Sequence, residues 1–333
     1  MLLPVRSAFA AGLVLAVCWI AGPAHAESYT LFDSPDGSSM VVGTGINAHG
    51  AVSGFSYEPR GVIAPHGFVR AADGSFTLFD PKHSPGTEVD VINDRGWVAG
   101  TYLSADGHHD AFIRKASGKL IKIPAPAGQD LHVTALNNLG DICGYATIGN
   151  HFYGFLRTSD GAFIPIDDNR PESFCFGIND SGTATGYFIT AGTVQGYVRT
   201  ADGSITTFDM PNGGPAFPMS INAAGDVAGT DYYHHVFVRM ADGKFRTFIA
   251  PAAGLIISAT INANGTVAGT LFKESYHSQA WHGFMAQPGK GMILFDAPGF
   301  PGSTWANGIN DKGDITGLVA GNDGHGHGFI RKP

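Results

Sequence analysis

Five ionisable and seven aromatic residues stand where this sequence departs from its own internal pattern. Glu88, Asp90 and His132, with Asp231 and Glu274, form the candidate acid–base set. Carboxylates beside a histidine can move protons in hydrolysis, elimination or isomerisation when their surroundings push their pKa values apart. Tyr102, Phe174, Phe217, Tyr232, Tyr233, Tyr276 and Trp305 form the candidate contact set. Aromatic walls with few polar groups suit a sugar or another planar, neutral ligand. Tyrosine adds large contact area at low entropic cost. The same aromatics would also serve to pack neighbouring structural units together.

These residues depart from a seven-fold repeat. The phrase Ile92-Asn93-Asp94-Arg95-Gly96-Trp97-Val98-Ala99-Gly100 recurs with its Asn at positions 47, 93, 137, 179, 222, 262 and 310. A period of this length, made of short strands and turns, predicts an all-β, seven-bladed β-propeller. Each unit reads as four strands. The first precedes the Asn, and Asn-x-x-Gly reverses the chain. The second runs from Trp97 to Tyr102 in the second unit. The third is His66-Gly67-Phe68-Val69-Arg70 in the first unit. The fourth, outer strand follows an Asp-Gly hairpin such as Asp73-Gly74 and reads Phe76-Thr77-Leu78-Phe79-Asp80.

Loops from the second to the third strand, and from the fourth to the next first strand, share one face. Five residues before the Asn, the sequence places Val42, Glu88, His132, Phe174, Phe217, Ile257 and Trp305. Three before, it places Thr44, Asp90, Thr134, Phe176, Met219, Ala259 and Asn307. Both sets should face a central channel and its mouth.

The seventh unit ends after Phe329-Ile330-Arg331 without a fourth strand. Tyr29-Thr30-Leu31-Phe32-Asp33 matches Phe76 to Asp80, so the N-terminal strand is expected to close the last blade and remove an exposed edge. Before it, Arg6, the apolar run Ala8 to Ile20 and Ala24-His25-Ala26 read as a signal peptide over 1–26. Residues 27–333 then form one domain, periplasmic or extracellular. Cys18 offers a lipoprotein anchor as the alternative, against which Val17 argues. Positions 27–333 hold no run long and apolar enough to span a bilayer.

The Ile-Asn-x-x-Gly-x-x-x-Gly phrase, followed by a His-Gly-Phe or Asp-Ala-Phe strand, resembles the bacterial extracellular HAF-repeat family over residues 29 to 331. The resemblance implies a secreted, propeller-like protein and carries no activity or catalytic residue. The family's histidine is present as His66, His235, His282 and His327 and is replaced by Asp110, Tyr153 and Gln195.

Equivalent positions in a ring are spread apart, so these histidines cannot meet on one ion. They read as polar caps bonding backbone at the start of the third strand. Arg70, Arg114, Arg157, Arg199 and Arg239 read as structural, paired with acidic turn residues. No metal site and no cofactor are expected: His108-His109, His234-His235 and His325-Gly326-His327 each lack a third ligand at suitable spacing. Cys143 and Cys175 lie on adjacent units. They would either form a disulfide or serve as small buried residues.

The net charge is −8 and no Lys/Arg cluster occurs, which argues against nucleic acid as a partner. The chain contains no nucleophile elbow, phosphate loop or dinucleotide fingerprint. Two function classes remain foremost. One is a monomeric binding module for a small-molecule, glycan or protein ligand, or for an envelope component. The other is a secreted hydrolase, lyase or isomerase with Glu88, Asp90 and His132 at the channel mouth. A purely structural envelope role lacks any attachment signal.

Overall fold

The computed structural model describes residues 27–58, 64–126, 128–167, 170, 172–251, 253–275 and 278–333. Residues 1–26, read from the sequence as a signal peptide, and the contact candidate Tyr276 lie outside them. The described residues are all-β, without a helix, and therefore without a helix long and apolar enough to cross a membrane.

Each repeat folds as an antiparallel sheet with its strands in sequence order. Thr87–Ile92, Val98–Leu103, His109–Arg114 and Leu120–Ile123 form one such four-stranded sheet, and three further sheets repeat it. In the sixth repeat the first strand is split into Leu255–Ile256 and Thr260–Ile261. In the seventh, Thr304–Ile309, Ile315–Ala320 and Gly326–Lys332 are followed by Ser28–Phe32 from the other end of the chain. Ser28–Phe32 pairs antiparallel with the last strand from Ser28↔Lys332 to Phe32↔Gly328. One parallel contact, Met40↔Gly326, joins this sheet to that of the first repeat.

The repeated Asn does more than shape its turn. Asn93 accepts the backbone N–H groups of Arg95 and Trp97 on Oδ1, at 3.1 and 2.9 Å. Its Nδ2 donates to the Asn137 carbonyl at 2.8 Å. The same donation runs from Asn47 to Asn93, Asn137 to Asn179, Asn179 to Asn222, Asn222 to Asn262, Asn262 to Asn310, and Asn310 back to Asn47. All seven side chains are buried. Gly96 takes φ +69° to finish its turn, a conformation that a Cβ would strain.

The second-strand glycine is required by a close approach. In six repeats the first strand slips register three residues before the Asn, between Val89 and Val91 for example. Such a bulge adds one unpaired residue and turns its side chain. The carbonyl five residues before the Asn then leans onto the facing glycine. A Cβ on Gly144 would overlap the His132 carbonyl, and one on Gly317 that of Trp305.

The core lies between neighbouring sheets. Third-strand aromatics Phe68, Phe112, Phe237, Phe284, Phe329 and Tyr197 are fully buried. The repeated arginines feel the charge of the turn carboxylates, as Arg70 does that of Asp73 and Arg239 that of Asp242, but their close contacts are with rings. Arg70 lies over Phe32, Arg114 over Phe79, Arg239 over Phe208 and Arg331 over Phe295, each ring belonging to the preceding sheet, at 4.6 to 5.0 Å. A planar guanidinium stacks well on a ring in a site that is only partly wet.

The third-strand histidines also differ from expectation. They bond carboxylates, not backbone. His66 pairs with Asp80 at 2.7 Å, His282 with Asp296 at 3.0 Å and His327 with Asp33. Each Asp ends the outer strand of the same sheet. The fifth repeat has Ile249 at that place, and His235 turns to Asp231 instead.

Cys143 and Cys175 form a disulfide between adjacent sheets, with Cα atoms 5.8 Å apart and a sequence separation of 32. Closing a loop of that size restricts the unfolded chain by about 3–4 kcal/mol. Replacing both cysteines by Ala should therefore lower stability by that order in calorimetry. Intact mass should show no alkylation at either residue before reduction.

Candidate functional site

The bulge builds the channel wall. The extra residues are Thr44, Asp90, Thr134, Phe176, Met219 and Asn307, and all six line one cavity of about 320 Å³ to which every repeat contributes. Their polar groups follow a pattern. Thr44 donates to the Val89 carbonyl at 2.8 Å, Thr134 to that of Cys175 at 2.6 Å, and Asn307 to that of Gly43 at 3.0 Å. Asp90 occupies the same repeat position, and an ionised carboxylate has no proton to give there. Loss of solvent, and then the charge of Glu88, push its carboxyl well above the usual range.

Two positions toward the mouth, the residue five before the Asn sits directly across from the residue after the second-strand glycine. The pairs are Glu88↔Thr101, His132↔Tyr145, Phe174↔Tyr187, Phe217↔Thr230 and Trp305↔Leu318. Cross-strand pairs share a face, so Tyr145 and Tyr187 join the site. Period-2 alternation of the second strand would have exposed both in the sequence.

An unbroken aromatic arc results. His109 stacks near His132 (6.0 Å between ring centres), His132 on Tyr145 (4.7 Å), Tyr145 against Phe174 (5.2 Å), and Phe174 against Tyr187 (4.9 Å). Tyr187 meets Phe217 (5.2 Å), which meets Tyr232 (5.8 Å). Phe176 carries the arc into the channel, 5.5 Å from Tyr187. A second patch stacks Phe272, Trp281 and Trp305. Tyr232 holds φ +74°, kept there by its loop. Thr230 accepts the Tyr232 N–H, and Asp231 accepts those of Tyr233 and His235. A non-glycine residue in this region costs about 1–3 kcal/mol and persists only where its surroundings enforce it.

The acid–base set divides. Glu88 and Asp90 interact with each other, and Asp90 is linked to His132 through Tyr145. Asp90 feels the charge of Glu88 and in turn raises the pKa of Tyr145, after the larger effect of Tyr145's own burial. The ring of Tyr145 stacks on His132. Burial, then the neighbouring His109, lower the pKa of His132 and hold its imidazole neutral, with Asp130 opposing. Asp231 is spent on its loop and on the His235 ring. Glu274 is exposed, 3.5 Å from Gln279 and apart from the other three.

The contact set divides too. Phe217, Tyr232, Tyr233 and Trp305 keep part of their surface exposed, whereas Phe174 is 7% exposed and packs among Tyr145, Phe152 and Tyr187. Tyr102 is a correction: it is 4% exposed, packs on Phe112, and donates its hydroxyl to Asp110 at 2.9 Å. Burial and that carboxylate raise its pKa. Among the described residues, no three His, Cys, Asp or Glu side chains are arranged to hold a metal ion.

Comparison with known proteins supplies the fold class. No protein-family profile and no curated protein matches the chain. A streptogramin B lyase structure is similar over 92% of this chain and 98% of its own, at 13% identity and TM-score 0.63. A catalytically inactive histidine-to-alanine variant of virginiamycin B lyase from Staphylococcus aureus, with quinupristin, matches over 91% of this chain and 99% of its own, at 13% identity and TM-score 0.64. Puromycin hydrolase is similar over 87% of this chain but 52% of its own, at 15% identity and TM-score 0.56. The chain thus has a propeller-like all-β fold.

Proposed function

We propose that this chain is a secreted, monomeric, seven-bladed β-propeller of the HAF-repeat type. On this reading it acts as a lyase- or hydrolase-type enzyme on a ring-bearing small molecule at the mouth of its channel. The seven-membered asparagine cycle and the Ser28–Phe32 pairing support the blade count and the closure. The leader pattern over 1–26 supports export. The fold likeness to propeller lyases supports the reaction class by analogy alone.

One observation carries the reading. The His132 ring, its pKa lowered by burial, stacks on Tyr145, and Tyr145 in turn feels the charge of Asp90, which is coupled to Glu88. His132 is the general base, ready to accept a proton from bound substrate. The arc from Tyr145 to Tyr232 holds the substrate's ring and keeps water from the reacting bond. Glu88, exposed at the rim, is the acid–base partner on the solvent side.

The test is turnover of quinupristin, puromycin and aromatic esters, followed by mass spectrometry. A product should form, and His132→Gln should lower kcat/KM about 100-fold or more. The base works only when neutral, so activity should hold as pH falls through the ordinary histidine range near 6.5 and drop below it. Full activity in His132→Gln would sink the reading. The exposed pair Tyr232 and Tyr233, 48% and 58% exposed, favours a second reading as a pure binding module. Saturable binding at the mouth without any product would select it.

A further inference from the structure

The channel wall has used up its donors. Thr44, Thr134, Ser220 and Thr260 line the cavity, and each hydroxyl gives its proton to a carbonyl of the next sheet: Val89, Cys175, Ala259 and Asn307, at 2.6 to 3.1 Å. A hydroxyl has one proton and two lone pairs, so only lone pairs remain for the lumen. Asn307 commits one amide hydrogen in the same way, to Gly43. No Lys, Arg or His is among the lining residues, and Asp90 is the single ionisable one. Phe176 and Met219 supply a π face and a polarisable sulfur. An anion would find no cation and almost no donor here. A group with several N–H donors and a positive charge would find acceptors, a carboxyl and an aromatic face.

We propose that the channel binds a primary ammonium group seated on Asp90, so that the ligand of this protein is an amine carrying a planar ring. The inference rests on the mouth being the ligand site. The ring lies along the arc from Phe174 to Tyr232, and the amine passes Phe176 into the lumen. In the empty channel burial and the charge of Glu88 favour the protonated form of Asp90. A docked ammonium favours the carboxylate, so the share of Asp90 that is protonated beforehand gives its proton to solvent.

The probes are 2-phenylethylamine, its neutral analogue 2-phenylethanol, its anionic analogue 3-phenylpropanoate, and the N,N,N-trimethyl derivative of the amine. Each is titrated into the purified chain by calorimetry in buffers of different ionisation enthalpy. The amine should bind at least tenfold tighter than the alcohol and the trimethyl derivative, with release of up to one proton, and the propanoate should not bind. Asp90→Asn should fold normally, because Asn307 already fills the equivalent position and bonds Gly43. It should erase the amine preference and the proton release.

Equal binding of amine and alcohol would overturn the ammonium site and leave the aromatic mouth standing. A trimethyl derivative that binds as well as the amine would overturn recognition through N–H donors. An Asp90→Asn variant that keeps the preference would overturn the assignment to Asp90. Failure of all four probes to bind would overturn both this inference and the reading of the mouth.

Discussion

Deleting residues 27–34 should cost about 5 kcal/mol or more and lower the melting temperature by about 10 °C, given the shift expected per kcal/mol for a chain of this size. The segment carries several independent contacts. Phe32 is 6% exposed and packs on Phe68 and Phe76 of the first repeat, and its ring covers Gly328, where a Cβ would collide with it. Losing a buried phenylalanine alone costs about 3–5 kcal/mol. Arg70 would lose the ring beneath it. Arg331, 4% exposed, would lose its carboxylate partner Glu27. Gly326–Lys332 would become an open strand edge able to pair with a second copy. Differential scanning calorimetry and light scattering read both effects. A truncated chain that melts like the full one and stays monomeric would refute closure by the N-terminal strand. Phe32→Ala should reproduce about half of the loss without exposing the edge.

Asn137→Ala should cost about 3–5 kcal/mol, far more than truncation of a surface residue. Asn137 is 3% exposed. Its Nδ2 donates to the Asn179 carbonyl and to Asp141, and its Oδ1 accepts the backbone N–H groups of Leu139, Gly140 and Asp141. Alanine removes every partner at once, and each buried group left unpaired costs about 1–3 kcal/mol. Leu139→Ala, in the same turn but 54% exposed, should change stability by about 0.5 kcal/mol or less. Urea unfolding of the two variants side by side decides the matter. If Asn137→Ala proves as mild as Leu139→Ala, the cycle of asparagines is decoration and not a closure device.

Much of the site was legible before folding because a repeat advertises its exceptions. A residue needed seven times serves the sheet. Glu88, Asp90 and His132 were visible as departures from that rule; the structure couples Asp90 to Glu88 and links it to His132 through Tyr145. Asp231 and Glu274 departed as well, but loop residues have no fixed register to their neighbours, and both lie elsewhere. Tyr102 shows the opposite error. It ends a second strand near the loops, yet its side chain alternates to the core and finds Asp110.

The sequence by itself determined the period, the turns and the demand for glycine, since these are local: an Asn that caps its own turn and a glycine at positive φ need only a few neighbouring residues. Tertiary structure decided what depends on residues some forty positions apart. The asparagine cycle, the stacking of arginines on the preceding sheet, the Cys143–Cys175 bond and the bulge that turns Asp90 into the lumen all require a neighbouring sheet or an exact strand register. Repeat spacing implies that two sheets are adjacent. It does not fix which carbonyl meets which side chain, because one bulged residue moves every later contact by a position.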